Sequence, residues 1–369
     1  MSDTKTGDVG WNVSCLNDSS YNESELTWFN HSGYFNYTYD GFSMLYPYEV
    51  ALCSVGIVFN VVSLLALLHV KKPTRRSPFH LALRFLACTD LLFSSADFIY
   101  AMSMLLYTNT SEAFSAESLG CWDEILNDFA RLCMVPPLVA TTGIVIVQAV
   151  SILCPLRFSA IVNKRRVLLS LGIPFSLTIC IHLSLHIGHL NGRQYGEDCW
   201  QHFYGEYLSS STWYLGLVCT ALELFNCALY TFLWWQIKAV LKKDMPSQHA
   251  QGIRKDIKLH VTIGLLLVTI ILFWTPAVVM LFLMLSIKND WTFDPYGRFL
   301  AQKIAGLFAL LNPIIDPIVY GVRLPEVKDG YRRMWTKLSS CWRKKREISK
   351  SGTISDNVHG KSFRSRVDP

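Results

Sequence analysis

The chain has 369 residues, 51% of them hydrophobic and 17% charged, with a net charge of +6 and a mean hydropathy of +0.27. A soluble domain normally carries about 25% charged residues. The deficit excludes a soluble domain, and the basic excess suits anionic lipid without implying nucleic acid.

Residues 1–45 are polar, acidic (Asp3, Asp8, Asp18, Glu23, Glu25, Asp40) and rich in Asn, Ser and Tyr. They read as a flexible tail without a core. Five N-x-Ser/Thr sites crowd this tail, at Asn12, Asn17, Asn22, Asn30 and Asn36, and a sixth falls at Asn109. No apolar leader precedes the first apolar block, which is expected to serve as the signal anchor.

Seven apolar blocks follow: Tyr46 to Leu68, Phe79 to Leu106, Trp122 to Leu153, Val167 to Ile187, Ser210 to Val240, Leu259 to Ile287 and Phe299 to Val322. Each exceeds the ~20 residues that ~30 Å of hydrocarbon requires. The expected architecture is an all-α membrane protein, a bundle of seven spans over residues 46–322. Basic residues gather in alternate connections: Lys71, Lys72, Arg75 and Arg76; Arg157, Lys164, Arg165 and Arg166; Lys238, Lys242, Lys243, Arg254, Lys255 and Lys258. These are expected to face the cytoplasm. The sequons fall on the other side, which puts the N-terminus outside and the C-terminus inside, in a multi-pass protein of the plasma membrane.

Ionisable groups at membrane depth are expensive, about 2.5–3.5 kcal/mol each on insertion scales, and mark function. The second block holds Asp90 and Asp97. The third holds Asp128, Arg131 and the pair Pro136-Pro137. The fifth holds Glu223, and the seventh Lys303, Asn312 and Asp316. Asp97, Asp128, Arg131, Glu223 and Lys303, nearer the outside, are candidates for a ligand pocket. Asn312 and Asp316 stand four apart on one helical face. With Asp90 they are expected to form an interior polar cluster around water or a sodium ion, since two neighbouring carboxylates do not both ionise without a counter-charge. Separate, locally satisfied polar residues are the alternative. The sixth block carries Phe273-Trp274-Thr275-Pro276, an aromatic beside a proline kink. His182, His186 and His189 end the fourth block with no acidic partner nearby and read as a polar interface.

Of eleven cysteines, Cys15, Cys121 and Cys199 fall on the expected outside, where disulfides persist. A bridge from Cys121 to Cys199 would pin the loop after the fourth span over the mouth of the bundle, with Cys15 left over. After the seventh block, Val327, Tyr331, Met334, Trp335 and Leu338 recur at helical spacing, interleaved with Lys328, Arg332, Arg333 and Lys337. This predicts an amphipathic helix at 323–340 on the inner membrane surface. Cys341 follows it as a palmitoylation candidate, and 341–369 reads as a disordered basic tail. Phosphate-cradling glycine loops, metal-spaced His or Cys clusters and nucleophile elbows are absent from the sequence, so no enzyme is expected.

Seven spans, Cys121 with Cys199, Asn60, Asp90, Trp274 with Pro276, and Asp316-Pro317-Ile318-Val319-Tyr320 together resemble the rhodopsin-like G-protein-coupled receptors over Tyr46 to Leu338. Within that class, Asn312-Pro313-Ile314-Ile315-Asp316-Pro317, Thr74-Arg75-Arg76-Ser77-Pro78-Phe79, Thr89-Asp90-Leu91-Leu92 and Pro136-Pro137-Leu138 are similar to prostanoid receptors. The resemblance implies a ligand between the helices, an anionic lipid in the prostanoid case, and a heterotrimeric G protein as partner. It also implies a switch through Asn60, Asp90, Trp274, Pro276, Asn312, Asp316, Pro317 and Tyr320. The chain departs from the pattern at Val147-Gln148-Ala149, where the family reads acid, Arg, aromatic. Leu307 stands at the ligand-facing position of the family's carboxylate-binding arginine, so Arg131 or Lys303 would have to replace it. Pro155-Leu156-Arg157-Phe158 and Tyr320-Gly321-Val322-Arg323 are similar to olfactory receptors, which keeps an amine or odorant ligand as the alternative. A receptor impaired in signalling is a further alternative, because Gln148 replaces the arginine. A channel or transporter is the third reading, but inverted repeats and broken half-helix pairs are not evident in the sequence.

Overall fold

A computed structural model describes residues 44–70, 77–109, 125–154, 156–191, 208–241, 247–286, 295–340 and 342. Cys15, Cys121, Cys199, Cys341, the sequons at Asn12, Asn17, Asn22, Asn30 and Asn36, and the tail 343–369 lie outside them, as do the side chains of Asn109, His186 and His189.

Seven helices among the described residues are long and apolar enough to cross a membrane: Tyr46–Leu68, Pro78–Leu106, Ile125–Leu153, Lys164–Leu185, Trp213–Ala239, Leu259–Leu283 and Leu300–Arg323. They are numbered first to seventh below. Within hydrocarbon, a helix is one of the few folds that pairs every backbone group internally. That constraint, more than propensity, makes these β-branched, aromatic-rich segments helical. Two spans are interrupted, each at a proline. In the third, a turn at 133–134 separates residues 125–132 from the helix Val135–Leu153, whose first residues include Pro136 and Pro137. In the seventh, a turn at 310–311 separates Pro295–Ala309 from Asn312–Arg323. Around it the backbone tightens to a three-residue step, with Leu311 N donating to Phe308 O at 3.1 Å and Ile314 N to Leu311 O at 3.1 Å.

The first span packs on the second and seventh, the second also on the third and fourth, and the sixth joins the fifth to the seventh. The third lies in the middle, against the second, fourth, fifth and sixth, and nearly all of Val135 to Ala149 is buried. Large apolar side chains such as Val58, Leu224, Trp235, Leu272 and Leu183 stand on the outside. The interior instead collects polar groups: Asn60, Asp90, Thr141, Gln148, Asn226, His260, Asn312 and Asp316 are all buried. Apolar side chains on the outside as well as in the core are what a lipid solvent allows, because tails are no more hostile to leucine than a core is. Between the fifth and sixth spans, Gly264 leaves a notch that the Tyr230 hydroxyl fills. Beside it the His260 ring stacks on Tyr230 at 4.4 Å and on Trp234 at 5.7 Å.

After Leu324 the chain turns into a helix over residues 325–340. Its expected apolar stripe divides in two. Val327 and Met334 are buried against the bundle, while Trp335 and Leu338 are exposed and left for lipid. Tyr331 hydrogen-bonds Ser63 of the first span, and burial pushes its phenol up, so the hydroxyl stays protonated at neutral pH. Gly330 lies against the first span, where an added Cβ would stand 2.5 Å from the Ala66 carbonyl oxygen and 3.0 Å from Val70. Gly330→Ala is therefore expected to push this helix off the bundle and to destabilise the purified protein by about 1–3 kcal/mol, the usual range for overpacking. Thermal unfolding beside Gly172→Ala, where the Cβ meets nothing within 4 Å, checks it.

Candidate functional site

The central cluster is built around a defect in the seventh span. Pro317 has no N–H, so the carbonyl of Pro313, four residues back, has no helical donor. Asn60 of the first span supplies one: its Nδ2 donates to Pro313 O at 2.7 Å and to Gly56 O at 3.0 Å. One turn along the same helix, Asn312 Nδ2 donates to Asp316 Oδ2 at 2.9 Å. The Thr269 hydroxyl, from the sixth span, lies 2.7 Å from Leu266 O and 3.2 Å from Asp316 Oδ1. Asp90 of the second span is fully buried, and both of its carboxylate oxygens lack hydrogen-bond partners among the described residues. It lies within electrostatic reach of Asp316. Hydrogen bonds thus join Asn312, Asp316 and Thr269, with Asp90 in electrostatic reach of Asp316.

Trp274 and Tyr320 flank this cluster, both fully buried. The Trp274 ring packs on Phe93 of the second span, centroids 5.3 Å apart, two residues before Pro276, which lies inside the sixth helix. Tyr320 lies near Ser63, and its hydroxyl has no hydrogen-bond partner among the described residues. Gln148 is 2% exposed, with its amide nitrogen equally unpartnered. Tryptophan, tyrosine and amide groups buried without partners are poised for an arrangement that gives them one.

A second cluster lies at the Tyr46 end of the bundle. Lys303 Nζ of the seventh span is 3.3 Å from Glu49 Oε2 of the first. It also stands 4.7 Å from the ring centroids of both Tyr46 and Tyr100. The Asp97 carboxyl lies within electrostatic reach of Glu49 and Lys303. Asp97 and Lys303, two of the expected pocket residues, therefore come together. Their partner Glu49 has no counterpart in the sequence reading. It sits one turn inside the first helix and was open to the same depth argument as the others.

The remaining candidates are dispersed. Asp128 Oδ2 pairs with His182 Nε2 at 2.7 Å, and both residues are buried. This corrects the view of the fourth-span histidines as lacking an acidic partner: the acid comes from the third span, 54 residues away in sequence. Arg131 is half-buried in the segment ahead of Pro136. Leu307 is half-buried and packs against the hydrophobic core. Glu223 stands between the fifth and sixth spans, facing Thr275. Groups of three or more metal-ligating side chains are absent among the described residues.

Asn60→Ala is expected to leave the Pro313 carbonyl buried without a donor and to cost about 1–3 kcal/mol, the penalty of an unmade hydrogen bond. Asn60→Asp, which keeps the shape and loses the donor, is expected to cost at least as much. Thermal melts of the two detergent-solubilised variants check this.

Residues 59–320 match the 7 transmembrane receptor (rhodopsin family). Melanocortin receptor 5 from Ovis aries is 20% identical over 77% of this chain and 82% of its own length. The Bos taurus receptor of the same name gives the same identity and coverage. Olfactory receptor 8K3 from Homo sapiens is 26% identical over 52% of this chain and 60% of its own. Seven membrane-spanning helices, the polar cluster on the broken seventh span and a match over most of the chain make this protein a member of the rhodopsin family of seven-transmembrane receptors, and so a receptor rather than an enzyme.

Proposed function

We propose that the protein is a cell-surface receptor that binds a small ligand at the Tyr46 end of the bundle and signals to a heterotrimeric G protein at the other. The observation that carries this reading is the run of buried polar groups with unpartnered atoms between the two ends: Trp274, Asp90, Tyr320 and Gln148. Such groups are costly in a finished core. They suit a bundle with two packings of similar free energy, between which a ligand selects. In this mechanism, ligand shifts the packing on Trp274 and the sixth helix swings at Pro276. The Asp90–Asn312–Asp316 cluster then rearranges, and Tyr320 turns and gains a partner, opening a cleft for the G protein. Asp90, whose two oxygens have no hydrogen-bond partner among the described residues and which lies within electrostatic reach of Asp316, suits a monovalent cation such as sodium; it would steady the resting packing. The sequons on the tail agree with an N-terminus outside the cell and a C-terminus within, where a bridge from Cys121 to Cys199 would form on the outer side.

The ligand is the finer question. A prostanoid-like reading requires an available cation at the pocket. Lys303 is held by Glu49, Leu307 offers no charge, and Arg131 is not among the groups set around Lys303. With Asp97 beside them the balance is acidic, which favours an amine or a neutral odorant over an anionic lipid. An olfactory receptor stands among the relatives, in keeping with a small-molecule ligand.

A screen of amines, odorants and lipid mediators with a readout blind to G-protein subtype tests the reading; absence of any response from a surface-expressed receptor counts against it. Gln148→Arg restores the family residue at the inner end of the third span. It is expected to lower basal signalling about fivefold, the effect of roughly 1 kcal/mol on a two-state equilibrium. Unchanged basal signalling would mean that Gln148 does not occupy the locking position.

A further inference from the structure

An ammonium group set against tyrosine faces and a carboxylate is a general way for proteins to bind amines. This chain builds that arrangement and fills it with its own lysine. Tyr46 and Glu49 lie three residues apart on the first helix, and Asp97 and Tyr100 three apart on the second, so each pair shares a face. Between them comes Lys303, 4.7 Å from both ring centroids and 3.3 Å from Glu49. Tyr46 is 4% exposed and Tyr100 6%, so the cage walls are shielded. A structural ion pair would be complete with Glu49 and Lys303. Asp97 is the surplus: with two carboxyls and one ammonium, the cage is one positive charge short. A carboxylate in excess beside buried tyrosine rings attracts another cation.

We propose that Tyr46, Glu49, Asp97 and Tyr100 form an ammonium-binding cage whose resting occupant is Lys303 and whose ligand is a compound bearing a protonated alkylamine. The incoming ammonium takes the place of Lys303 against Glu49 and the tyrosine faces. Lys303 passes to Asp97, so two carboxylates face two ammonium groups and the cage is neutral. Lys303 stands on the half-helix Pro295–Ala309, seven residues before the turn at 310–311. Its transfer therefore pulls on the segment that leads to Asn312 and Asp316. The binding site stands on its own geometry; only the signalling consequence rests on the receptor reading above.

The test uses the full-length protein in lipid nanodiscs, with thermal stability read against n-butylammonium, n-butanol and butyrate. Saturable stabilisation by butylammonium alone is expected. Asp97→Asn is expected to weaken its apparent affinity about tenfold or more, as loss of one partner of a desolvated charge pair does. Lys303→Ala empties the cage and is expected to regain stability with methylammonium, whereas Lys303→Ala combined with Glu49→Gln does not. Should Lys303→Ala fail to fold, Tyr100→Leu takes its place, expected to weaken butylammonium about fivefold through loss of the ring face. Stabilisation by butanol or butyrate equal to that by butylammonium overturns the cage, as does an Asp97→Asn affinity equal to wild type, even where another ligand drives signalling. Saturable butylammonium binding that Asp97→Asn weakens, without any G-protein response, upholds the cage and counts against the receptor mechanism.

Discussion

A helix crossing hydrocarbon has no water to satisfy a stray carbonyl, and Pro317 creates one at Pro313. The Asn60 amide, reaching across from the first span at 2.7 Å, closes that gap. Much of the interior hangs on this bond. It fixes the first span against the Asn312–Arg323 half of the seventh, which carries Asn312 and Asp316. Tyr320 lies beside Ser63, whose hydroxyl shares a hydrogen bond with Tyr331 from the helix after the bundle. A single missing backbone hydrogen thus joins the first span to the seventh.

The two polar clusters differ in kind. At the Tyr46 end, opposite charges already pair, and Tyr46 and Tyr100 cover the ammonium. Along the core, hydrogen-bonding capacity exceeds what the described side chains supply. The first arrangement resists change until a competing ion arrives. The second changes at small cost, because several of its members gain a partner by moving. Between them lies the interrupted seventh helix, whose turn at 310–311 lets the two halves adjust separately.

The seven spans were legible in the sequence because hydrocarbon imposes a minimum apolar length that few soluble segments meet. Their observed ends differ by no more than four residues from those expected where both are described. The meeting of Asn312 with Asp316 was legible too, since four residues separate them on a helix. Pairs between distant spans were not. Glu49 and Lys303 are 254 residues apart, and Asp128 and His182 are 54 apart; each contact depends on which faces the bundle turns inward, which apolar periodicity does not encode when every face is apolar. The helix at 325–340 shows the same limit. Its stripe could be read, but its division between bundle and lipid depends on Gly330 letting the backbone approach Ala66.

The notch at Gly264 has a mechanical consequence. With the Tyr230 phenol seated in it, the fifth and sixth helices are keyed together like a pin in a slot. Sliding either along its axis drives the ring into the neighbouring turn of backbone, and His260 stacked on that ring blocks rotation in place. Only movement directly apart clears the pin. The joint therefore forbids shear and permits hinging, and any widening of the bundle at this end must begin with withdrawal of one aromatic side chain.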